Sequence, residues 1–365
     1  MGRKRQKHLR SGFTTGTAAA AATKAALLFL FDGQAPSSVR VALLNGDTLD
    51  IAVHACERID EESVVCSVIK DAGDDPDITH GAEIAARLSW RATDAGPSVV
   101  ISGGNGVGKV TKPGLEVPPG EPAINPGPRK MIRKSALEAM QSHRRSGIVE
   151  TVIEVPRGEE LAHNTLNARL GIVGGISILG TTGVVRPMSH DAYVATIRSA
   201  LSVARASGLN QAVFTTGRRT ERFAQNLWPK LPEESFVQIG DFFARSMAMA
   251  VEHGFETVIL AIMFGKAVKM AQKIPHTHAS SARMTLAALS RWAEEFTGDS
   301  DLAGRIAEAN TARHAFAYIK DDHPGVIEKV GREVVRAADH FAGGKIRVGA
   351  VIFDFDGGIK FKAVQ

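Results

Sequence analysis

The chain is poor in cysteine, in aromatic residues and in long apolar runs. Two cysteines in 365 residues, Cys56 and Cys66, exclude a disulfide scaffold and show no metal-site spacing. They are expected on neighbouring strands of one hairpin, as reduced core thiols of a cytoplasmic protein. Aromatic residues make up 6% of the chain, and no basic stretch is interleaved with stacking rings, which argues against nucleic acid. No uninterrupted apolar segment is long enough to span a bilayer, so no membrane partner is expected. Nor is there a credible Ser-His-Asp or Cys-His arrangement for nucleophilic catalysis.

What is present is glycine, 36 residues, much of it in short clusters that suggest backbone close to a ligand. The charge of +5 and pI near 9.2 favour an anionic partner such as a polycarboxylate or a nucleotide-like molecule. The basic stretch over residues 1–10, followed by alanines, imitates a signal peptide. Thr23 and Lys24 interrupt the apolar run, and Thr14 and Thr15 are capping residues ahead of it. The reading is a basic tail and then a helix over 17–31. Gln6 also breaks the myristoylation pattern.

A length of 365 residues predicts two domains. The first half reads as β-rich, with strands over 39–44, 48–56, 63–70, 98–103 and 147–155 and a helix over 129–143. Between 103 and 128, glycine and proline allow no helix, which predicts a long ordered or ligand-facing loop. In the second half, strands over 172–179, 211–215, 236–239 and 257–263 alternate with helices over 190–206, 220–227, 241–253 and 266–272. That rhythm predicts a parallel, doubly wound sheet. Helices follow from 281 to 342, then strands over 346–353 and 358–363. The fold class is therefore two α/β domains. An α+β domain with a mixed sheet covers 1–188, and a Rossmann-like three-layer domain covers 189–344. The hairpin of 345–365 is expected to return to the first domain.

Three motifs carry candidate chemistry. Asp71-Ala-Gly-Asp-Asp-Pro-Asp-Ile-Thr-His-Gly81 packs four carboxylates and an imidazole just past a strand end. Such charge must be solvated, bind a cation or face a ligand, and its spacing is not that of an EF-hand. Asp71 or His80 could hold or protonate a substrate. Gly103-Gly-Asn-Gly-Val-Gly-Lys-Val-Thr111 approaches a P-loop, but Val110 stands where Ser or Thr should hold magnesium, and Pro113 blocks the helix. A nucleotide-dependent kinase would rest on that mismatch. Gly171-Ile-Val-Gly-Gly-Ile-Ser-Ile-Leu-Gly-Thr-Thr-Gly183 reads as a strand-to-helix turn at the edge of the parallel sheet, where nucleotide-like ligands dock. His276 and His278 lack a nearby Cys, Asp or Glu and read as histidines at a site mouth.

Taken together, several strings resemble the cobalt-precorrin-5B C1-methyltransferase family of the anaerobic cobalamin pathway. They are Arg10-Ser-Gly-Phe-Thr-Thr-Gly-Thr17, Lys70-Asp-Ala-Gly-Asp-Asp-Pro-Asp77, Thr79-His-Gly-Ala82, Gly106-Val-Gly108, Val110-Thr-Lys-Pro-Gly-Leu115, Glu121-Pro-Ala-Ile-Asn-Pro126 and residues 171–188. Phe264-Gly-Lys266 and Thr277-His278 continue the likeness. Two positions depart from it: Ala18 where members often carry Cys, and Gly217-Arg-Arg-Thr220 where a Gly-Asn-Tyr-Gly type turn is usual.

The resemblance implies methyl transfer from S-adenosylmethionine to C1 of cobalt-precorrin-5B, giving cobalt-precorrin-6A. The cobalt is carried by the tetrapyrrole substrate, and no protein-bound metal is implied. A non-catalytic binder of a corrinoid or other anionic cofactor is the alternative, and a homo-oligomer stays open. Under the resemblance, Gly174, Gly175, Gly180, Thr181, Thr182 and Gly183 line the adenosylmethionine pocket, and Asp241 holds the ribose. Thr14, Thr15, Thr17, Lys109, Lys112 and Arg186 meet substrate carboxylates. Asp71 and His80 handle protons, His278 faces the macrocycle, and the active site is expected between the domains.

Overall fold

The computed structural model describes residues 9–278 and 282–364, so most of the expected basic tail and the expected helix start at Ser281 lie outside the described residues. The chain divides into two compact units, residues 1–190 and 191–365.

The first unit runs β1 (Gly12–Phe13), α1 (Thr15–Asp32), β2 (Ser38–Ala42), β3 (Thr48–Ala52), β4 (Ala55–Arg58), β5 (Ser63–Ile69), β6 (Glu83–Ala92), β7 (Ser98–Gly103), β8 (Lys109–Val110), α2 (Pro126–Ser142), β9 (Gly147–Glu154), α3 (Gly158–Ala162), β10 (Ile172–Val173) and β11 (Val184–Val185). Its main sheet has the order β4-β5-β6-β9-β7, antiparallel except for β7 beside β9. Side chains alternate across a strand, so Val64, Cys66 and Val68 share one buried face with Ile84, Ala86, Leu88, Val149 and Ile153. Over that face lies α1, whose alanines are strong helix formers and are buried from Ala18 to Ala26. Their small side chains let α1 sit between the sheet and α2. Thr14 caps its start, accepting from Thr17 N–H at 3.2 Å, and Gly33 ends it with a left-handed φ of 72°.

The second unit runs α4 (His190–Ala206), β12 (Gln211–Thr215), α5 (Arg218–Leu227), β13 (Phe236–Gln238), α6 (Phe243–Glu252), β14 (Thr257–Met263), α7 (Phe264–Ala271), α8 (Ala282–Thr297), α9 (Ser300–Glu308), α10 (Ala312–Ile319), α11 (Pro324–Ala342), β15 (Arg347–Phe353) and β16 (Ile359–Ala363). The sheet order is β13-β12-β14-β15-β16, parallel except for β16. Its strands are apolar on both faces, as burial on both sides requires. Phe214, Leu260 and Ile352 join a core with α4, α6 and α11, whereas Val213, Ile259 and Val351 pack with Ala224 of α5.

Four expectations change. Residues 83–92, where the sequence pattern predicts no strand, form the longest strand of the first sheet. The segment expected as a strand over 172–179 forms only Ile172–Val173, in the first unit, paired with β8 and not with the parallel sheet. The final hairpin does not return to the first domain. Its first strand takes β14 as parallel neighbour from Thr257↔Arg347 to Met263↔Phe353, and Phe361 lies where any side chain on Gly331 of α11 would be. The cysteines do occupy facing strands, Cys56↔Cys66, but they are joined in a disulfide and are not free thiols. Direct opposition brings their Cα atoms to 4.1 Å, close enough to bridge.

The Cys56–Cys66 bridge closes a loop with a sequence separation of 10. Closing so short a loop restricts the unfolded chain by about 2–3 kcal/mol. The Cys56→Ser, Cys66→Ser double variant is predicted to lose that much in urea unfolding. An unchanged midpoint and slope would remove the bridge from the stability of the unit.

Candidate active site

In the first unit, four segments meet backbone to backbone. Phe13 N–H donates to the Asp71 carbonyl at 2.8 Å, Thr14 N–H to Gly183 at 3.1 Å and Gly16 N–H to Leu179 at 3.1 Å. The glycine-proline loop joins the same assembly: Gly108 N–H donates to Ile176 at 2.9 Å, and Ile178 N–H to Ala123 at 2.8 Å. The loop is thus ordered, but it ends at Pro126, where α2 starts earlier than expected because proline is tolerated in a helix's first turn, and Lys109–Val110 is a strand where a P-loop would open a helix. A Cβ on Gly106 would stand 1.9 Å from the Val155 carbonyl oxygen, and one on Gly175 would stand 2.1 Å from that of Gly106. These glycines permit close approach of chain to chain.

Two of the acidic loop's four carboxylates are paired with cations, and the other two accept backbone N–H groups. The Arg10 guanidinium grips Asp71 through both nitrogens, and Asp74 accepts from the Arg10 backbone N–H at 2.7 Å. Asp75 accepts from Met188 N–H at 2.8 Å. Asp77 takes the Lys70 ammonium at 2.5 Å, and Lys70 is only 1% exposed. Burial opposes the charged form of Asp77, but Lys70 and the Thr79 bonds outweigh it, and its carboxyl lies below the ordinary range. The Arg10 bonds, then the Gly73 N–H, hold Asp71 at about 2. A carboxylate that acidic is a weak proton acceptor. His80 Nδ1 accepts from Ala72 N–H at 3.0 Å, which leaves the proton of the neutral ring on Nε2. His80 is therefore placed to donate a hydrogen bond.

Several assigned roles give way here. Thr14, Thr15 and Thr17 are buried and committed to the chain itself. Thr14 caps α1, Thr15 Oγ1 accepts from Leu179 N–H at 2.9 Å, and Thr17 Oγ1 donates to the Gly183 carbonyl at 2.7 Å. They fasten residues 177–183 to the helix and present no hydroxyl to a substrate. A side chain on Gly180 would meet Thr14, and one on Gly183 would meet Leu43 and Thr17, so these two glycines are packing positions. Gly174, Thr181 and Thr182 are exposed, as are Lys109 and Arg186, and Lys112 is half-buried against Gly171. Exposed Val173, Leu179 and Met188 lie in the same run of chain. Ala18 is fully buried in α1, which places the departing position in the core.

In the second unit the carboxyl edge of the parallel sheet carries its own cluster. Asp241 follows β13 through Ile239 and Gly240. The Lys266 ammonium and the Thr277 hydroxyl, at 3.1 Å, both reach its Oδ1. Burial resists ionisation of Asp241, yet Lys266 and then Thr277 overcome it and lower its pKa. Tyr193 stacks on Phe242 at 5.3 Å between ring centres, and its ring stands where a side chain on Gly240 would be. His276 meets Phe242 edge-on at 4.9 Å. His278 is exposed, and its carbonyl accepts from Lys269 at 2.8 Å. Past β12, a Cβ on Gly217 would meet nothing within 4 Å, so the turn into α5 borders open space. Sequence reasoning gave no role to Arg10, Lys70, Lys266 or Tyr193. The first three stood in or beside the family strings, and their signal was a cation within reach of an acidic loop or strand end. Among the described residues no group of His, Cys, Asp or Glu converges as a metal site. No helix among them is long and apolar enough to cross a membrane.

Because the folded Asp71 carboxyl lies at about 2, below the ordinary value near about 4, its stabilising share is full above pH ~4 and drains as pH falls towards 2. A carboxyl-resolved NMR titration is predicted to place the wild-type midpoint near 2. Arg10→Met should return it towards about 4. A midpoint that does not move on losing Arg10 would show that the guanidinium is not the cause.

The sequence model of the CbiD family matches residues 2–187, and that of the CbiD C-terminal domain matches residues 276–364. A Geobacillus sp. (strain WCH70) protein named cobalt-precorrin-5B C(1)-methyltransferase is 48% identical over 307 residues, 84% of this chain and 83% of its own. A Priestia megaterium protein of the same name is 42% identical over 363 residues, 99% of this chain and 98% of its own. A crystal structure of a cobalamin biosynthesis protein (cbiD) from Archaeoglobus fulgidus is 30% identical, with a TM-score of 0.39, over 70% of this chain and 78% of that one. With both halves of the family pattern matched and such identity across nearly the whole length, the chain belongs to the CbiD family.

Proposed function

We propose that the chain transfers a methyl group from S-adenosylmethionine to C1 of cobalt-precorrin-5B, giving cobalt-precorrin-6A in cobalamin biosynthesis. The observation that carries this reading is full-length identity of 42% to a relative of that name. The chemistry agrees. When bound, adenosylmethionine supplies a methyl already activated on a sulfonium, and the attacking carbon belongs to the substrate. The protein's task is then to hold two molecules in line and to fix dipoles around shifting charge.

The second unit reads as Rossmann-like and as the donor's site. In the order β13-β12-β14-β15, the chain steps outward on both sides of β12, so the switch point lies between β12 and β14. Ligands of open α/β sheets dock outside the carboxyl ends of the strands at that point. Asp241 fits a ribose there, because among the described residues both of its side-chain hydrogen bonds fall on Oδ1, and a ribose hydroxyl would donate to Oδ2. This assignment moves the donor away from Gly174, Gly175, Gly180, Thr181, Thr182 and Gly183. The first unit reads as the acceptor's site. Lys109, Lys112 and Arg186 supply positive charge for acetate and propionate groups, Val173, Leu179 and Met188 an apolar surface, and His80 Nε2–H a donor. Asp71 positions Arg10 and does not remove the proton.

Incubating the protein with cobalt-precorrin-5B and methyl-labelled adenosylmethionine is predicted to place one label at C1. A protein that retains the tetrapyrrole and transfers nothing would be a carrier. Asp241→Asn, folded by circular dichroism, should raise KM for adenosylmethionine about tenfold, the loss of one charge-assisted hydrogen bond. An unchanged KM would remove Asp241 from the donor site.

A further inference from the structure

Beside α7 the second unit holds a cavity of about 340 Å³. That volume lies in the range of small-molecule sites and exceeds what a simple inorganic ion needs. Its wall runs from Met263, the last residue of β14, to Phe355 beyond β15, with α7 and α10 between them. Three cations face it, Lys266, Lys269 and Arg313, and no acidic side chain is among its lining residues.

These cations are not equivalent. The charge of Lys266 is met by Asp241. Among the described residues, Lys269 Nζ meets carbonyl oxygens, those of Thr277 at 3.1 Å and His278 at 2.8 Å. Burial, then the Lys266 ammonium, pulls its pKa down, with Asp241 offsetting part of the effect, so an arriving anion would relieve it. The Arg313 guanidinium lies over the Phe355 ring at 4.3 Å. An arginine so placed keeps its hydrogen-bonding edge for a planar, bidentate acceptor. Met263, Ala312 and Phe355 supply the apolar part of the wall. Met263 also precedes α7 without a side-chain cap, which leaves the first N–H groups of that helix to another acceptor.

We propose that this cavity is a carboxylate-binding site, in which an organic anion lays its apolar stem against Met263, Ala312 and Phe355 and its carboxylate on Arg313 and Lys269. The identity of the ligand rests on the methyl-transfer reading, which offers two sources. One is the methionyl carboxylate of the donor, and the other is an acetate or propionate arm of the acceptor.

Arg313 is exposed, so Arg313→Gln should fold, and a melting curve checks that it does. The full chain is titrated with S-adenosylhomocysteine by calorimetry and with uroporphyrin, an octacarboxylate, by fluorescence quenching. One affinity should fall about tenfold or more, with Arg313→Lys recovering part of it, and the deficit should shrink at high salt. Loss confined to the homocysteine product assigns the donor's carboxylate, and loss confined to the porphyrin assigns an acceptor arm. Two unchanged affinities, equal loss of both, or a wild type that binds neither probe would each overturn the site. Methyl transfer is read separately. A wild type that transfers methyl while Arg313→Gln binds both probes normally rejects the site and spares the function. The reverse pattern rejects the function and spares the site.

Discussion

Backbone pressed against backbone is the constraint on which the first unit depends. A Cβ on Gly12 would stand 2.2 Å from the Asp71 carbonyl oxygen, and one on Gly73 would stand 2.1 Å from that of Arg10. Gly106 and Gly158 meet in the same way, at 2.0 Å. At such distances no side chain fits, so glycine is required irrespective of any ligand. The reward is a surface built of loops yet ordered like a sheet, because its N–H and C=O groups satisfy one another. Thr14, Thr15 and Thr17 then rivet residues 177–183 to the first turn of α1.

Charge follows the same economy. The acidic loop directs its carboxylates to Arg10, Lys70 and backbone N–H groups, so it is a clasp in which two cations face four carboxylates. Lys70 is nearly inaccessible, and a buried ammonium persists only when it is paired and hydrogen-bonded. Over the whole chain basic residues outnumber acidic ones, 44 to 39, which favours an anionic partner. In the second unit, Asp241 and Lys266 are partners of the same kind at the edge of a parallel sheet.

The second unit was the more legible in sequence, because each of its elements announces itself locally. Runs such as Thr257–Met263 are apolar after their first residue, and helices with one apolar face separate them. In the first unit, Glu83–Ala92 escaped notice because Ala85, Ala86 and Arg87 blur its alternation, and its strand character comes from pairing with β5 and β9. The Gly171–Gly183 string reads in sequence as a strand-to-helix turn at the edge of the parallel sheet, whereas it lies in the first unit and pairs with β8. Glycine demanded by a neighbouring backbone looks the same in sequence as glycine demanded by a ligand. The threonines misled for a related reason, since a hydroxyl that caps a helix cannot be told from one that meets a carboxylate until its partner is known. The disulfide depended on register: Cys56 and Cys66 were legible as hairpin neighbours, but not as directly opposed.

Placing the donor at the carboxyl edge of the parallel sheet, away from the glycine-rich face of the first unit, is the claim that amide hydrogen exchange tests most directly. With S-adenosylhomocysteine bound, exchange should slow at residues 216–218 and 240–242. Slowing confined to residues 174–183, with the second unit unchanged, would contradict it.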